Sequence, residues 1–145
     1  MPSPDEPSRG LRDRSAPPSI LVVEDDEGLR PILARHLRRQ GYDVSEAASA
    51  EEAIEAFERG SHPALVVLDL NLPGATGWDL LRSAAMRSAG RPQVVITSAI
   101  TVSPKRLAEF EIVGYLPKPF SLETLLQTVQ RVIAPAKEGA LARDE

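Results

Sequence analysis

Three short apolar runs, each closed by polar side chains, constrain this chain more than any other feature. They are Ile20-Leu21-Val22-Val23 before Glu24-Asp25-Asp26, Leu65-Val66-Val67-Leu68 before Asp69, and Val94-Val95-Ile96 before Thr97-Ser98. A strand sends successive side chains to opposite faces, so a run that is apolar throughout has both faces covered, as in a parallel sheet layered between helices. Weaker strands fit Tyr42 to Ala47 and Gly114 to Leu116. The segments between carry helical spacing. Leu29, Ile32, Leu33 and Leu37 form one stripe before the Gly41 stop. Ala53, Ile54 and Phe57 form another behind Ser49, with Glu52 completing a capping box. Leu122, Leu125, Leu126, Val129, Val132 and Ile133 form a third between Ser121 and Pro135. Five strands alternating with five helices imply right-handed crossovers and an α/β fold, a doubly wound five-stranded parallel sheet.

At 145 residues the chain has the length of one domain, able to bury roughly 70% of its unfolded surface. The first residues hold Pro2, Pro4, Pro7, Pro17 and Pro18 without an apolar run or a small-residue cleavage site. Residues 1–18 therefore read as a flexible proline-rich leader, 19–134 as the domain and 135–145 as a flexible tail. No stretch reaches the ~20 apolar residues a bilayer-spanning helix needs, so no membrane partner and a cytoplasmic location are expected. The absence of cysteine excludes a disulfide scaffold, a thiolate nucleophile and cysteine-ligated metal. Seventeen basic against twenty-one acidic residues give a net charge of −4, which disfavours direct nucleic-acid binding. Arg35, Arg38 and Arg39 read as a solvated helix face, and His36 and His62 match no motif.

In open α/β sheets ligands sit at the carboxyl ends of the strands. Glu24 and Asp25 follow the first strand, Asp69 ends the third, Thr97 ends the fourth and Lys118 follows the fifth, so these groups should converge. Three carboxylates in one pocket repel each other unless a cation joins them. Carboxylate oxygens suit Mg²⁺, whose remaining positions commonly go to water or phosphate. The charges close: −3 from the acids against +2 from the ion and +1 from Lys118. Thr97 and Lys118 add donors for an anion such as a phosphoryl group. Thr97 and Ser98 compete for the hydroxyl role. Asp26 lies outside the pair and reads as a cap.

The order Val22-Val23-Glu24-Asp25-Asp26, Leu68-Asp69-Leu70-Asn71-Leu72-Pro73-Gly74 with Gly77, Val95-Ile96-Thr97-Ser98, then Tyr115-Leu116-Pro117-Lys118-Pro119-Phe120 resembles the CheY-like receiver domain of two-component response regulators. The resemblance spans about residues 19 to 134. It implies a flavodoxin-like strand order of 2-1-3-4-5. Asp69 becomes the phosphoacceptor, and Glu24, Asp25, Asp69 and the Asn71 backbone carbonyl become Mg²⁺ ligands. Lys118 is then the invariant lysine, joined to Pro119 by a cis peptide, Thr97 the switch hydroxyl and Tyr115 the switch aromatic, which moves into space that Thr97 vacates. The implied protein accepts a phosphoryl group from a histidine kinase or phosphotransfer protein, or from a small phosphodonor. It hydrolyses the aspartyl phosphate itself, as a switch with a lifetime and not a turnover enzyme. A downstream protein target then reads the face of the fourth helix, fifth strand and fifth helix, the protein being a monomer or a phosphorylation-dependent dimer.

Two other readings compete. A haloacid-dehalogenase-type phosphatase also uses an aspartate after an apolar strand, but needs a second Asp two residues on, where this chain has Asn71. A receiver-like interaction module would bind partners without phosphorylation. The dozen residues after Ile133 are too few for an output domain. The chain also departs from the receiver pattern. Pro31 sits inside the first helix, predicting a late start or a kink. Thr76 replaces a common acid. Glu111-Ile112 stands where receivers show Gly-Ala, predicting a short or unusual fourth helix that starts at Ser103-Pro104 and a mobile, partner-specific stretch from Phe110 to Gly114.

Overall fold

The computed structural model describes residues 16–135; most of the leader and all but the first residue of the tail expected above lie outside them. Five strands, β1 (Ser19–Val23), β2 (Asp43–Ala47), β3 (Leu65–Asp69), β4 (Gln93–Ser98) and β5 (Gly114–Pro117), form one parallel sheet in the order β2-β1-β3-β4-β5. The helices are α1 (Leu29–Arg39), α2 (Ala50–Glu58), α3 (Gly77–Arg82), α4 (Ala84–Ser88), α5 (Pro104–Glu109) and α6 (Leu122–Val132).

The apolar runs divide residue by residue between two cores. Ile20, Val22, Leu65, Val67 and Val95 face α1 and α6, where Leu33, Ala34, Leu37, Leu125 and Val129 meet them. Leu21, Val23, Val66, Leu68 and Ile96 face the other layer, which Ala53 and Phe57 of α2, Leu80 of α3 and Met86 of α4 complete. Every residue of β3 is buried, and that is the physical basis of its unbroken apolar character.

The described residues hold six helices, one more than expected, because the third is cut in two. Ser83 adopts an extended conformation, φ −69° and ψ 145°, between α3 and α4. Its hydroxyl donates to the Leu80 carbonyl at 2.7 Å and accepts the Met86 N–H at 3.2 Å, so one side chain closes one helix and starts the next. Pro31 does not delay or break α1. It is the third residue of a helix that begins at Leu29, and the N–H it lacks belongs to the first turn, where no intrahelical acceptor exists. The expectation for α5 holds: it has six residues, starts behind Ser103 with Pro104 and ends in a turn where Glu111 takes a left-handed φ of 56°. Thr76 replaces the common acid with a cap, its hydroxyl accepting the Asp79 N–H at 3.2 Å while the Asp79 carboxylate accepts the Thr76 N–H at 2.8 Å. Among the described residues no helix is long and apolar enough to cross a membrane.

Candidate functional site

The three apolar runs deliver their terminal polar residues to one edge of the sheet. Asp69 closes β3 with only 3% of its surface exposed, and Glu24, just after β1, with 2%. Asp25 is the more open member of the group, and carboxylate oxygens of Glu24, Asp25 and Asp69 lie within 4.8 Å of one another. Lys118, just after β5, reaches across: its Nζ donates to Glu24 Oε1 at 2.9 Å and to Asp69 Oδ2 at 3.3 Å. The Lys118–Pro119 peptide is cis, in agreement with the resemblance.

Local folding presets the carboxylates. Asp69 Oδ1 accepts the Asn71 N–H at 3.0 Å and Glu24 Oε2 accepts the Asp26 N–H at 3.1 Å, so each buried acid has one oxygen on the backbone and the other on Lys118. Asp26 caps α1 through its side chain, accepting the Gly28 and Leu29 N–H groups at 2.8 and 3.1 Å. Those bonds hold its carboxyl below the usual carboxylate range. Gly77 allows α3 to start directly beneath the end of β3. A Cβ there would lie 2.9 Å from the Asp69 carbonyl oxygen and 2.9 Å from the Leu70 Cα.

Burial pushes the Glu24 carboxyl above its ordinary value; the Asp69 charge adds to the rise, and the Lys118 hydrogen bond opposes it. For Lys118 burial is the largest single influence and works against the charge. The bond to Glu24 and the charges of Glu24 and Asp69 together outweigh it, so the ammonium is held above the ordinary lysine value. One ammonium among three carboxylates leaves an excess charge of −2 in a partly buried pocket of hard oxygen donors. Such a donor set and charge fit a divalent cation of the Mg²⁺ type.

Thr97 stands directly beside Asp69 in the β3–β4 register, 2% exposed, and its hydroxyl has no hydrogen-bond partner among the described residues. Ser98 differs. Its hydroxyl lies 3.1 Å from Asn71 Oδ1 and 2.9 Å from both the carbonyl and the N–H of Ile100. Tyr115 on β5 is tied to the same carbonyl, donating to it at 3.2 Å.

One residue and one contact of this site escaped sequence reasoning. Arg30 donates to the Glu24 carbonyl at 2.9 Å while pairing with Glu27 and Glu46, fixing the loop that carries the acids. Its only signal was its place one turn behind the acidic pair. The tie from Ser98 to Asn71 joins the end of β4 to the loop after β3, 27 residues apart, and left no local pattern.

A model of the response regulator receiver domain matches residues 20–130. The chain belongs to that family. The receiver is 35% identical over 119 residues to the response regulator MprA of Mycolicibacterium vanbaalenii, a match covering 81% of this chain and 51% of that protein. It spans about half the length, or less, of the curated relatives it matches, 35 to 51% in four of them. Among solved structures, the chemotaxis protein CheY4 of Vibrio cholerae superposes with a TM-score of 0.72 at 30% identity, covering 81% of the receiver and 100% of that chain. The response regulator TrrA of Thermotoga maritima, solved in complex with Mg²⁺ and BeF, gives a TM-score of 0.68 at 26% identity, covering 80% of the receiver and 99% of that chain. These likenesses agree with the flavodoxin-like strand order expected from sequence, with a role in two-component signalling and with an acidic pocket suited to Mg²⁺ and aspartate phosphorylation.

Proposed function

We propose that this receiver is a phosphorylation switch in which Asp69 accepts a phosphoryl group from a histidine kinase or phosphotransfer protein. The observation that carries the reading is the buried Asp69 carboxylate, with Lys118 Nζ at 3.3 Å and two further acids beside it. The Asp69 carboxylate attacks phosphorus in line. A new O–P bond forms as the bond from phosphorus to the donor nitrogen breaks, and the donor imidazole leaves with the electron pair. Little covalent machinery is needed for such a transfer, so positioning and charge carry it. Lys118, pinned by Glu24, is placed to neutralise phosphoryl oxygen charge. Glu24, Asp25, Asp69 and the Asn71 backbone carbonyl are the residues that would hold Mg²⁺. Bound there, the ion would supply further positive charge to the phosphoryl oxygens. Hydrolysis returns the site to its start: water attacks phosphorus and the Asp69 oxygen is released as carboxylate. The chain thus catalyses its own loading and unloading, as a switch with a lifetime.

Thr97 serves as the switch hydroxyl in this reading. A phosphoryl oxygen on Asp69 offers an acceptor to a hydroxyl that has none, and its movement pulls the end of β4 and the loop on which Tyr115 rests. The output surface is then α5, β5 and α6, read by a downstream protein in the cytoplasm. The donor side is distinct. A mainly apolar groove of about 450 Å³ opens beside Lys118, lined by Leu29, Ile32, Leu33, Phe120 and Leu122. Its continuity with the reactive edge suits it to a phosphodonor protein presenting its phosphohistidine to Asp69.

Incubation with acetyl phosphate or phosphoramidate and Mg²⁺, read by intact mass and site mapping, tests the assignment. The expected result is one phosphoryl group on Asp69 and none in Asp69→Asn. A phosphate mapped to Asp25, or undiminished labelling of Asp69→Asn, overturns it. No incorporation from any donor favours the interaction-module reading.

A further inference from the structure

The Ser98 hydroxyl has one proton and two acceptors within reach, Asn71 Oδ1 at 3.1 Å and the Ile100 carbonyl at 2.9 Å, while it accepts the Ile100 N–H at 2.9 Å. Ser98 is 1% exposed, so water does not resolve the competition. Two arrangements satisfy the groups. In one, Asn71 turns its oxygen to Ser98 and takes the proton, leaving the Ile100 carbonyl to the Tyr115 hydroxyl at 3.2 Å. In the other, the Asn71 amide turns over and donates its NH₂ to the Ser98 oxygen. The Ser98 proton then goes to the Ile100 carbonyl, which accepts it alongside the Tyr115 hydroxyl proton, each bond weakened by the other. A side-chain amide presents either end at little steric cost.

We propose that Ser98 is a positioning residue of the switch: its hydroxyl links the loop after Asp69 to Tyr115 through Ile100, by a route separate from Thr97. The proposal rests on the phosphorylation reading above for its use, but not for its existence. The backbone N–H of Asn71 already bonds the Asp69 carboxylate at 3.0 Å. Added negative charge on Asp69 favours the Asn71 amide with its NH₂ toward the phosphoryl group and its oxygen toward Ser98. The Ser98 proton then commits to Asn71, and the Ile100 carbonyl is left to Tyr115. Phosphorylation thereby tightens the Tyr115 tie. The bistable element is one amide and one hydroxyl, and each has two discrete settings that the site can bias.

Asn71 and Tyr115 share no hydrogen bond, so energetic coupling between them is the diagnostic. The test is a double-mutant cycle of Asn71→Ala and Tyr115→Phe on the unmodified full chain, read by hydrogen exchange at the Ile100 amide and repeated in Ser98→Ala. The expected result is non-additivity of threefold or more in the exchange rate with Ser98 present. In Ser98→Ala the effects should combine to within a factor of two, whereas Ser98→Thr, which keeps the hydroxyl, should retain the coupling. Additive effects with Ser98 present, or coupling that survives Ser98→Ala, overturn the proposal. If Ser98→Ala does not fold, the first comparison still decides. A second arm adds beryllofluoride and Mg²⁺, with Tyr115-dependent protection of the Ile100 loop expected to rise. Failure of the native chain to bind beryllofluoride would count against the phosphorylation reading, while the cycle on unmodified protein judges Ser98 separately.

Discussion

Lys118 holds two of the three acids and leaves Asp25 to face the solvent, so the charge excess falls most heavily where it is easiest to relieve. Removing that charge should help the metal-free protein and harm its response to metal. Asp25→Asn is expected to raise apo stability, whereas the parent protein should gain about 2.7 kcal/mol from Mg²⁺ at a hundredfold excess over its Kd. Denaturation with and without millimolar Mg²⁺ checks both; equal stability in all four samples would mean the acids do not share an ion. Glu111 offers a second residue-scale test. Its φ of 56° strains a side chain that forms no ion pair among the described residues. Glu111→Gly should stabilise the receiver by about 1 kcal/mol, and a lower denaturation midpoint would contradict that. At this scale the sequence was legible where chemistry and position coincide. Asp69, Glu24, Asp25 and Lys118 are polar groups at the ends of apolar runs, and the structure brings them together. Arg30 and the Ser98 tie were not legible, because a side chain that bonds a distant backbone or loop leaves no periodic trace.

The elements show the same division. The β-strands were readable because burial on both faces forces an apolar residue at every position, and the amphipathic α1, α2 and α6 because one face meets a core. The α3–α4 break was not, since Ser83 is ordinary in composition and only its extended backbone and two hydrogen bonds reveal it. Pro31 misled for a related reason: its effect depends on its distance from the helix start, which the spacing located imprecisely. The start of α3 carries a pH signature. The Asp79 carboxylate accepts the Thr76 N–H, and that bond holds its folded pKa below the ordinary value of 3.8. Such a depressed group contributes its stability above the unfolded pKa and loses it as pH falls through the folded one. Acid titration of the denaturation midpoint should therefore steepen below about pH 4 in the parent relative to Asp79→Asn, which cannot titrate. Coincident curves would show that the capping box contributes nothing to folding.

For the whole molecule, the proposal gives the apolar groove beside Lys118 to the donor and the surface around α5 and Tyr115 to the target, and the two meet only at the start of α6. The groove beside Lys118 lies between α1 and the segment leading into α6, while Tyr115 and α5 look elsewhere. Ile32, 43% exposed, borders the groove but not the acids. Ile32→Glu should therefore slow transfer from a histidine kinase by tenfold or more while leaving labelling by acetyl phosphate unchanged. Equal rates from the kinase would remove the groove from the donor interface, and a loss with both donors would show damage to the site itself.

The division of each apolar run between two cores has a further meaning for a protein that must carry news. Asp69, Thr97 and Leu116 stand in one register row, and Leu116 belongs to the layer of α1 and α6, whereas Tyr115, one residue earlier, packs into the opposite layer. The sheet between them is a wall one backbone thick, built of strands paired in register along their length and held least at their ends. A message written on one side can reach the other only around the rim, where strands stop and loops fold over the edge. Asn71, Ser98 and Ile100 occupy that rim, so variation in the strength and speed of the signal should collect there, while the wall itself tolerates change only in the volumes it packs.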